Sequence, residues 1–192
     1  MVSPEHLFWD SCVFTAYLGN QEAAYDIPSI EKYLSEAKAG KVMIHASTIS
    51  SAEVLPSQIK AGGSFEDFLQ DFQGAIHTID PNPNVMTRSG RLRDLNYKKG
   101  PGERKLGTAD AIILATALYL EEAEGIRLSA FHTFDKGRKP DELGKAPVPL
   151  LGFEGWCEGF SPDQMAIVQP VIDLNRTPPI HPEPDLDFNA RS

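Results

Sequence analysis

Leu7-Phe8-Trp9-Asp10-Ser11-Cys12-Val13-Phe14-Thr15-Ala16-Tyr17-Leu18 is the stretch that decides the fold. Leu7 to Trp9 reads as a short buried strand and Cys12 to Leu18 as a helix, so a carboxylate stands at the junction. Outward from there the alternation repeats. Ile30, Tyr33, Leu34 and Ala37 mark one apolar face of a helix, and Gly40 is a suitable C-terminal stop. Lys41 to His45 reads as a second strand. Ser47 or Thr48 can cap a helix running through Glu53 and ending near Pro56. Ser64, with Asp67 at capping-box spacing, opens a helix whose Phe65, Phe68, Leu69 and Phe72 form a core stripe.

Ala75 to Ile79 offers a third strand. A helix carrying Val85, Arg88, Arg91, Leu92 and Leu95 follows, and Gly100-Pro101-Gly102 breaks it. Thr108 caps the clearest helix, with Ala111, Leu114, Ala115 and Leu118 as its buried stripe. Leu128 to Thr133 is a fourth strand and Val148 to Leu151 a fifth. Strands alternating with helices predict an α/β fold of three layers, with a central parallel sheet of about five strands. Residues 1–160 form the expected domain. Residues 161–192, with Pro178, Pro179, Pro182 and Pro184 and many acids, read as an extended C-terminal segment, apart from a brief helix over Ser161 to Ala166.

At 192 residues the chain fits one domain. Two cysteines, Cys12 and Cys157, are too few for a disulfide framework and read as reduced thiols. With no basic and apolar leader at Met1 and no long apolar run, the expectation is a soluble cytoplasmic chain that does not enter a membrane. A formal charge of −9 argues against indiscriminate nucleic-acid binding. One segment reverses that balance. Arg88, Arg91, Arg93, Lys98, Lys99, Arg104 and Lys105 stand against Asp94 and Glu103, so 7 minus 2 leaves +5 just before Asp110. Of these, Arg88, Arg91, Lys98, Lys99, Arg104 and Lys105 are the candidate RNA-binding residues.

Four acids sit where a strand ends or a helix begins. They are Asp10, Glu53 in Ser50-Ser51-Ala52-Glu53-Val54-Leu55, Asp110 in Gly107-Thr108-Ala109-Asp110-Ala111, and Asp135 in His132-Thr133-Phe134-Asp135. Parallel sheets gather ligands beyond the carboxyl ends of their strands, which brings Asp10 and Asp135 to one edge. Asp110 in a first helical turn suits the helix dipole, and Glu53 can reach the same edge with its longer arm. Clustered carboxylates repel one another unless a cation neutralises them, and hard oxygen donors select Mg²⁺ or Mn²⁺. Such a site beside a basic segment points to phosphodiester hydrolysis of a nucleic acid. His132 is expected to face away from Thr133, because side chains alternate along a strand, and Trp9 is expected in the core.

The four acids, in this order and in these contexts, resemble the PIN-domain nucleases, whose bacterial members include the VapC-like toxins of type II toxin–antitoxin modules. Ser47-Thr48-Ile49-Ser50-Ser51-Ala52-Glu53-Val54-Leu55, Ala109-Asp110-Ala111-Ile112-Ile113-Leu114-Ala115-Thr116-Ala117 and Thr133-Phe134-Asp135 carry the resemblance, which runs from about Leu7 to Leu151. It implies a sheet in the order 3-2-1-4-5, Mg²⁺ or Mn²⁺ held by Asp10, Glu53, Asp110 and Asp135, endonucleolytic RNA cleavage, and a Thr133 hydroxyl that orders the site. An antitoxin partner and a homodimer follow by analogy only. Cys12 stands where the family often has Ser, Thr or Asn, and Ser11 beside it can substitute.

Two other readings stand beside this one. In a receiver-type phosphoacceptor domain, Asp80, Thr133 and Lys145 would serve; paired acids after the first strand are then required, and Asp10 is single. Haloacid-dehalogenase-like phosphatases fit less well, since Asp10-Ser11-Cys12 lacks a second Asp. A PIN-like fold that binds RNA or protein without cutting is the second.

Overall fold

The computed structural model describes residues 3–137 and 146–182. Its centre is a five-stranded, all-parallel sheet of β1 (Glu5–Trp9), β2 (Val42–Ser47), β3 (Ile76–Ile79), β6 (Ala130–His132) and β7 (Arg176–Thr177), in the spatial order β3-β2-β1-β6-β7. Between β3 and β6 a small antiparallel hairpin, β4 (Tyr97–Lys99) and β5 (Gly102–Arg104), stands apart. Without the hairpin, the order is the expected 3-2-1-4-5.

Alternation of side chains divides the core in two. Leu7, Trp9, Val42, Ile44, Ala46, Ile76 and Ala130 face helices α1 (Ser11–Leu18), α2 (Ile27–Lys38) and α4 (Phe65–Asp71). Phe8 and Phe131 face α6 (Thr108–Glu122) and α7 (Pro162–Asp173), with Leu92 from α5 (Pro83–Asp94) in the same cluster. Helices therefore cover both faces. Trp9, Phe8, Phe14, Phe131 and Phe153 are wholly buried, each burial being worth about 1.5–3 kcal/mol. Ser64 and Asp67 form the expected capping box on α4, and Phe65, Phe68 and Phe72 are buried.

The chain runs from β1 outward through β2 to β3 on the α1, α2 and α4 face. It then returns beneath α5 and α6 to place β6 on the other side of β1. The order of strand addition reverses at β1, with β2 on one side and β6 on the other, which creates the crevice where sheets of this kind bind ligands.

Two expectations give way. Val148 to Leu151 is not the fifth strand: Val148 and Leu150 are fully buried, but Pro147 and Pro149 on either side of Val148 lack the N–H groups a ladder needs. Its backbone bonds instead go to Lys105 O from Val148 N at 3.0 Å and to the Asp135 carboxylate from Leu150 N at 2.9 Å. The fifth strand comes from Arg176–Thr177, paired in register with Phe131 and His132. The segment after residue 161 is correspondingly not an extended appendage. Ser161 and Gln164 form a capping box, Pro162 occupies the first turn, and Val168 and Val171 seat α7 in the core. Residues 183–192 of that segment, and Lys145, lie outside the described residues.

Two local differences are smaller. The helix expected from Ser47 or Thr48 to Pro56 is only α3 (Ser50–Glu53), followed by a 3-10 turn at Pro56–Gln58, and no side chain caps it. Thr108 is the first residue of α6 and Gly107 its N-cap, without a side-chain cap bond. Gly100-Pro101-Gly102 does break α5's pattern, as the turn of the β4–β5 hairpin.

Candidate active site at the carboxyl edge of the sheet

Asp10 follows β1 directly and begins α1, Thr133 follows β6, and Asp135 lies two residues on. Glu53 ends α3, which leaves the end of β2, and Asp110 occupies the first turn of α6. Four segments far apart in sequence therefore deliver four acids to one cavity of about 700 Å³. Ser11, Cys12, Tyr25, Asp26, Phe134, Lys136, Pro178 and Ile180 complete its walls.

Asp10 is 3% exposed and heavily engaged. Thr133 Oγ1 donates to its Oδ2 at 2.7 Å, and Cys12 Sγ donates to the same oxygen at 2.9 Å. The Ser11 hydroxyl reaches Glu53 Oε2 at 2.7 Å and Asp10 Oδ1 at 3.3 Å. With one hydrogen it serves one acceptor well, and the shorter distance selects Glu53. Cys12 thus takes the polar place in which the family resemblance expects a hydroxyl or amide. It also accepts from Phe134 N at 3.1 Å, and burial followed by the Asp10 charge pushes its thiol well up, so it stays protonated.

Thr133 Oγ1 accepts from Asp135 N at 3.0 Å while donating to Asp10, so one hydroxyl fixes two acids. Asp135 is held further by Gly137 N on Oδ1 at 2.8 Å and Leu150 N on Oδ2 at 2.9 Å. Asp110 has no such support and accepts no hydrogen bond among the described residues. A Cβ at Gly107 would collide with its carboxylate, so the glycine before this helix leaves the acid its room.

The electrostatics follow the same division. Burial pushes the Asp110 carboxyl up to about 7, with Asp10, Asp135 and Glu53 adding repulsion in that order. Burial raises Asp10, partly offset by the bonds from Cys12 and Thr133. Glu53 is raised by burial, offset in part by Ser11, and raised again by Asp10. The cavity holds more negative charge than its surroundings neutralise, and Lys136 is its one lining cation among the described residues.

The all-oxygen donor set fits a hard divalent cation. As the side chains stand, no three His, Cys, Asp or Glu residues among the described residues converge on a single ion position. The oxygens of Asp10 and Asp135 are instead turned to protein donors.

The basic segment divides. Arg88 pairs with Glu122 at 2.6 Å, and both it and Arg91 line a different groove of about 440 Å³ between α5 and the far end of α6. Twelve residues of helix separate Asp110 from Glu122, roughly 18 Å. Lys105 Nζ donates to Asp94 O at 3.0 Å and Leu95 O at 3.2 Å, closing the C-terminus of α5. Lys98 and Lys99 are exposed on β4. Arg104 approaches Gly137, a residue of the cavity wall: its Nη1 lies 3.4 Å from where a Cβ of Gly137 would stand.

His132 is 2% exposed and packs on Trp9 and Tyr33, facing away from Thr133 as expected. Trp9 is core. Sequence reasoning missed Lys136, although it adjoins Asp135, and it missed the wall supplied by Pro178 and Ile180, which no motif announces. No family model and no curated protein matches the chain.

Proposed function

We propose that this chain is a metal-dependent endoribonuclease of PIN type, hydrolysing RNA phosphodiester bonds. The observation that carries the reading is the convergence of Asp10, Glu53, Asp110 and Asp135 on one cavity at the sheet's reversal point, with Asp110 pushed up to about 7 by burial and mutual repulsion. Mg²⁺ or Mn²⁺ held by these four acids would supply the positive charge that phosphoryl transfer requires. Thr133 orients Asp10 and Asp135 through its two bonds, Ser11 steers Glu53, and Lys136, which lines the cavity, would meet a substrate phosphate. The role of toxin in a type II toxin–antitoxin module, with an antitoxin and a second copy as partners, belongs to the same reading through the family resemblance.

The purified chain should cleave RNA with Mg²⁺ or Mn²⁺ and stop in chelator. Persistent cleavage by an Asp10→Asn, Asp110→Asn double variant would sink the mechanism. A receiver-type reading finds less support. Doubly wound sheets of that kind run 2-1-3-4-5, with the third strand beside the first, whereas β3 here lies beside β2 and away from β1, and Asp80 just after it is exposed and does not line the cavity.

A further inference from the structure

Beside the acidic cavity lies a flat cation–aromatic unit that the proposed hydrolysis does not use. Arg104, at the end of β5, places its guanidinium carbon 4.4 Å over the ring of Trp156 and donates from Nη1 to Pro147 O at 3.2 Å. Both side chains are partly exposed. The unit is joined to the acids through Gly137, whose N–H donates to Asp135 Oδ1 at 2.8 Å and whose Cβ, if it had one, would stand 3.4 Å from Arg104 Nη1. On the other side is Lys99, whose Nζ lies 3.4 Å from the position of a Cβ at Gly155.

Three glycines lie against this unit: a Cβ at Gly102 would stand 3.6 Å from Trp156 Cη2 and Cζ3, one at Gly155 3.4 Å from Lys99 Nζ, and one at Gly137 3.4 Å from Arg104 Nη1, all within ordinary van der Waals contact. Of the acids nearby, Glu154 pairs with Arg176 at 2.8 Å, and Glu158 Oε2 accepts from Gly100 N at 2.7 Å. A partly exposed aromatic ring stacked with a guanidinium, next to an exposed lysine, is suited to an unpaired base and its phosphate. A paired base within a duplex presents no face to such a unit.

We propose that Trp156, Arg104 and Lys99 form a nucleotide subsite that stacks an unpaired base of the substrate strand and leads its backbone past Gly137 into the acidic cavity. The substrate is then single-stranded RNA at this position. The inference rests on the proposed RNA substrate, and its test is a binding measurement independent of cleavage.

Anisotropy of a labelled single-stranded RNA, titrated with the full chain in chelator, should show Trp156→Ala weakening binding by roughly 5- to 150-fold. Trp156→Phe should retain most of it, Arg104→Ala and Lys99→Ala should lose part, and affinity for the matching duplex should hardly change. Intrinsic fluorescence gives a second readout, since Trp9 is buried and Trp156 is the other tryptophan. The single strand should quench emission in the unaltered chain and not in Trp156→Phe. Equal loss for strand and duplex, no loss in Trp156→Ala, or no binding by the unaltered chain overturns the subsite. Retained stacking without any cleavage in Mn²⁺ overturns the nuclease reading and leaves the subsite standing.

Discussion

The carboxylate cavity and the row of histidines across the sheet are both crowded with titratable groups, and they resolve that crowding in opposite ways. His6, His45 and His77 stand on adjacent strands, with His6 Nδ1 2.9 Å from His45 Nε2 and the rings of His45 and His77 5.6 Å apart. Burial, followed by His6 and His77, lowers His45 to about 4, so near neutrality it is an uncharged, stacked ring. An imidazole can shed its charge and remain comfortable at pH 7. Carboxylates in the cavity can shed theirs only by binding a proton or a cation. His45 is therefore neutral with no ligand bound, although its buried Nδ1 has no hydrogen-bond partner among the described residues, whereas the acids of the cavity are neutralised only by taking up a proton or a cation.

The largest expected effect breaks the cavity itself. Asp10→Asn or Asp110→Asn should lower RNA cleavage by at least about a hundredfold, read as initial rates in Mn²⁺. Next comes stability against pH, where the two regions have opposite signs. Asp110's folded pKa lies above its unfolded value, so the folded chain holds the extra proton and stability falls as pH rises from about 4 to about 7. His45 and His132 have folded values near 4, below an unfolded 6.5, so stability falls as pH drops through that window. Asp110→Asn should stabilise the metal-free chain at pH 8 by about 1 kcal/mol or more, some 2–4 °C in Tm, and reduce the loss of stability with rising pH in urea titrations, the remainder coming from Asp10 and Glu53. His45→Gln should do the reverse, flattening the acid-side loss. By the same reasoning Mn²⁺ should raise Tm more at pH 8 than at pH 5.

Thr133→Val tests the hydroxyl that joins two acids. It leaves the Asp135 N–H without its partner and should cost about 1–3 kcal/mol of stability, seen in the urea midpoint together with slower cleavage. Smallest is Lys105→Ala, which removes the cap on α5 and should cost about 0.3–1 kcal/mol with RNA affinity unchanged. A large loss of RNA affinity there would return Lys105 to the binding surface.

Much of this arrangement was legible because periodicity carries it. Strand-ending Asp10 and Asp135, and Asp110 in a first turn, follow from local pattern together with the rule that parallel sheets gather sites at one edge. Glu53 required more, since α3 is four residues long and too short to announce itself. The fifth strand was misplaced because Val148 and Leu150 have a buried strand's composition, while the missing N–H groups of Pro147 and Pro149 decide against pairing. Arg176–Thr177, polar and two residues long, has no periodicity to read. Spacing in sequence also could not divide the basic segment, because α5 carries Arg88 and Arg91 to one groove while the hairpin stacks Arg104 on Trp156.

That late strand has a consequence for how the chain is made. Phe131 N donates to Asn175 O at 2.8 Å and Thr133 N to Thr177 O at 3.1 Å, so β6 keeps an open edge until residues 175–177 have been synthesised. Pairings of such long sequence separation form slowly, and an unpaired strand edge invites a neighbouring chain to fill it. A nascent or truncated chain ending near residue 160 would carry that open edge directly beside Thr133 and Asp10. Completing the last strand therefore closes the sheet edge beside Thr133 and Asp10 and protects it against self-association.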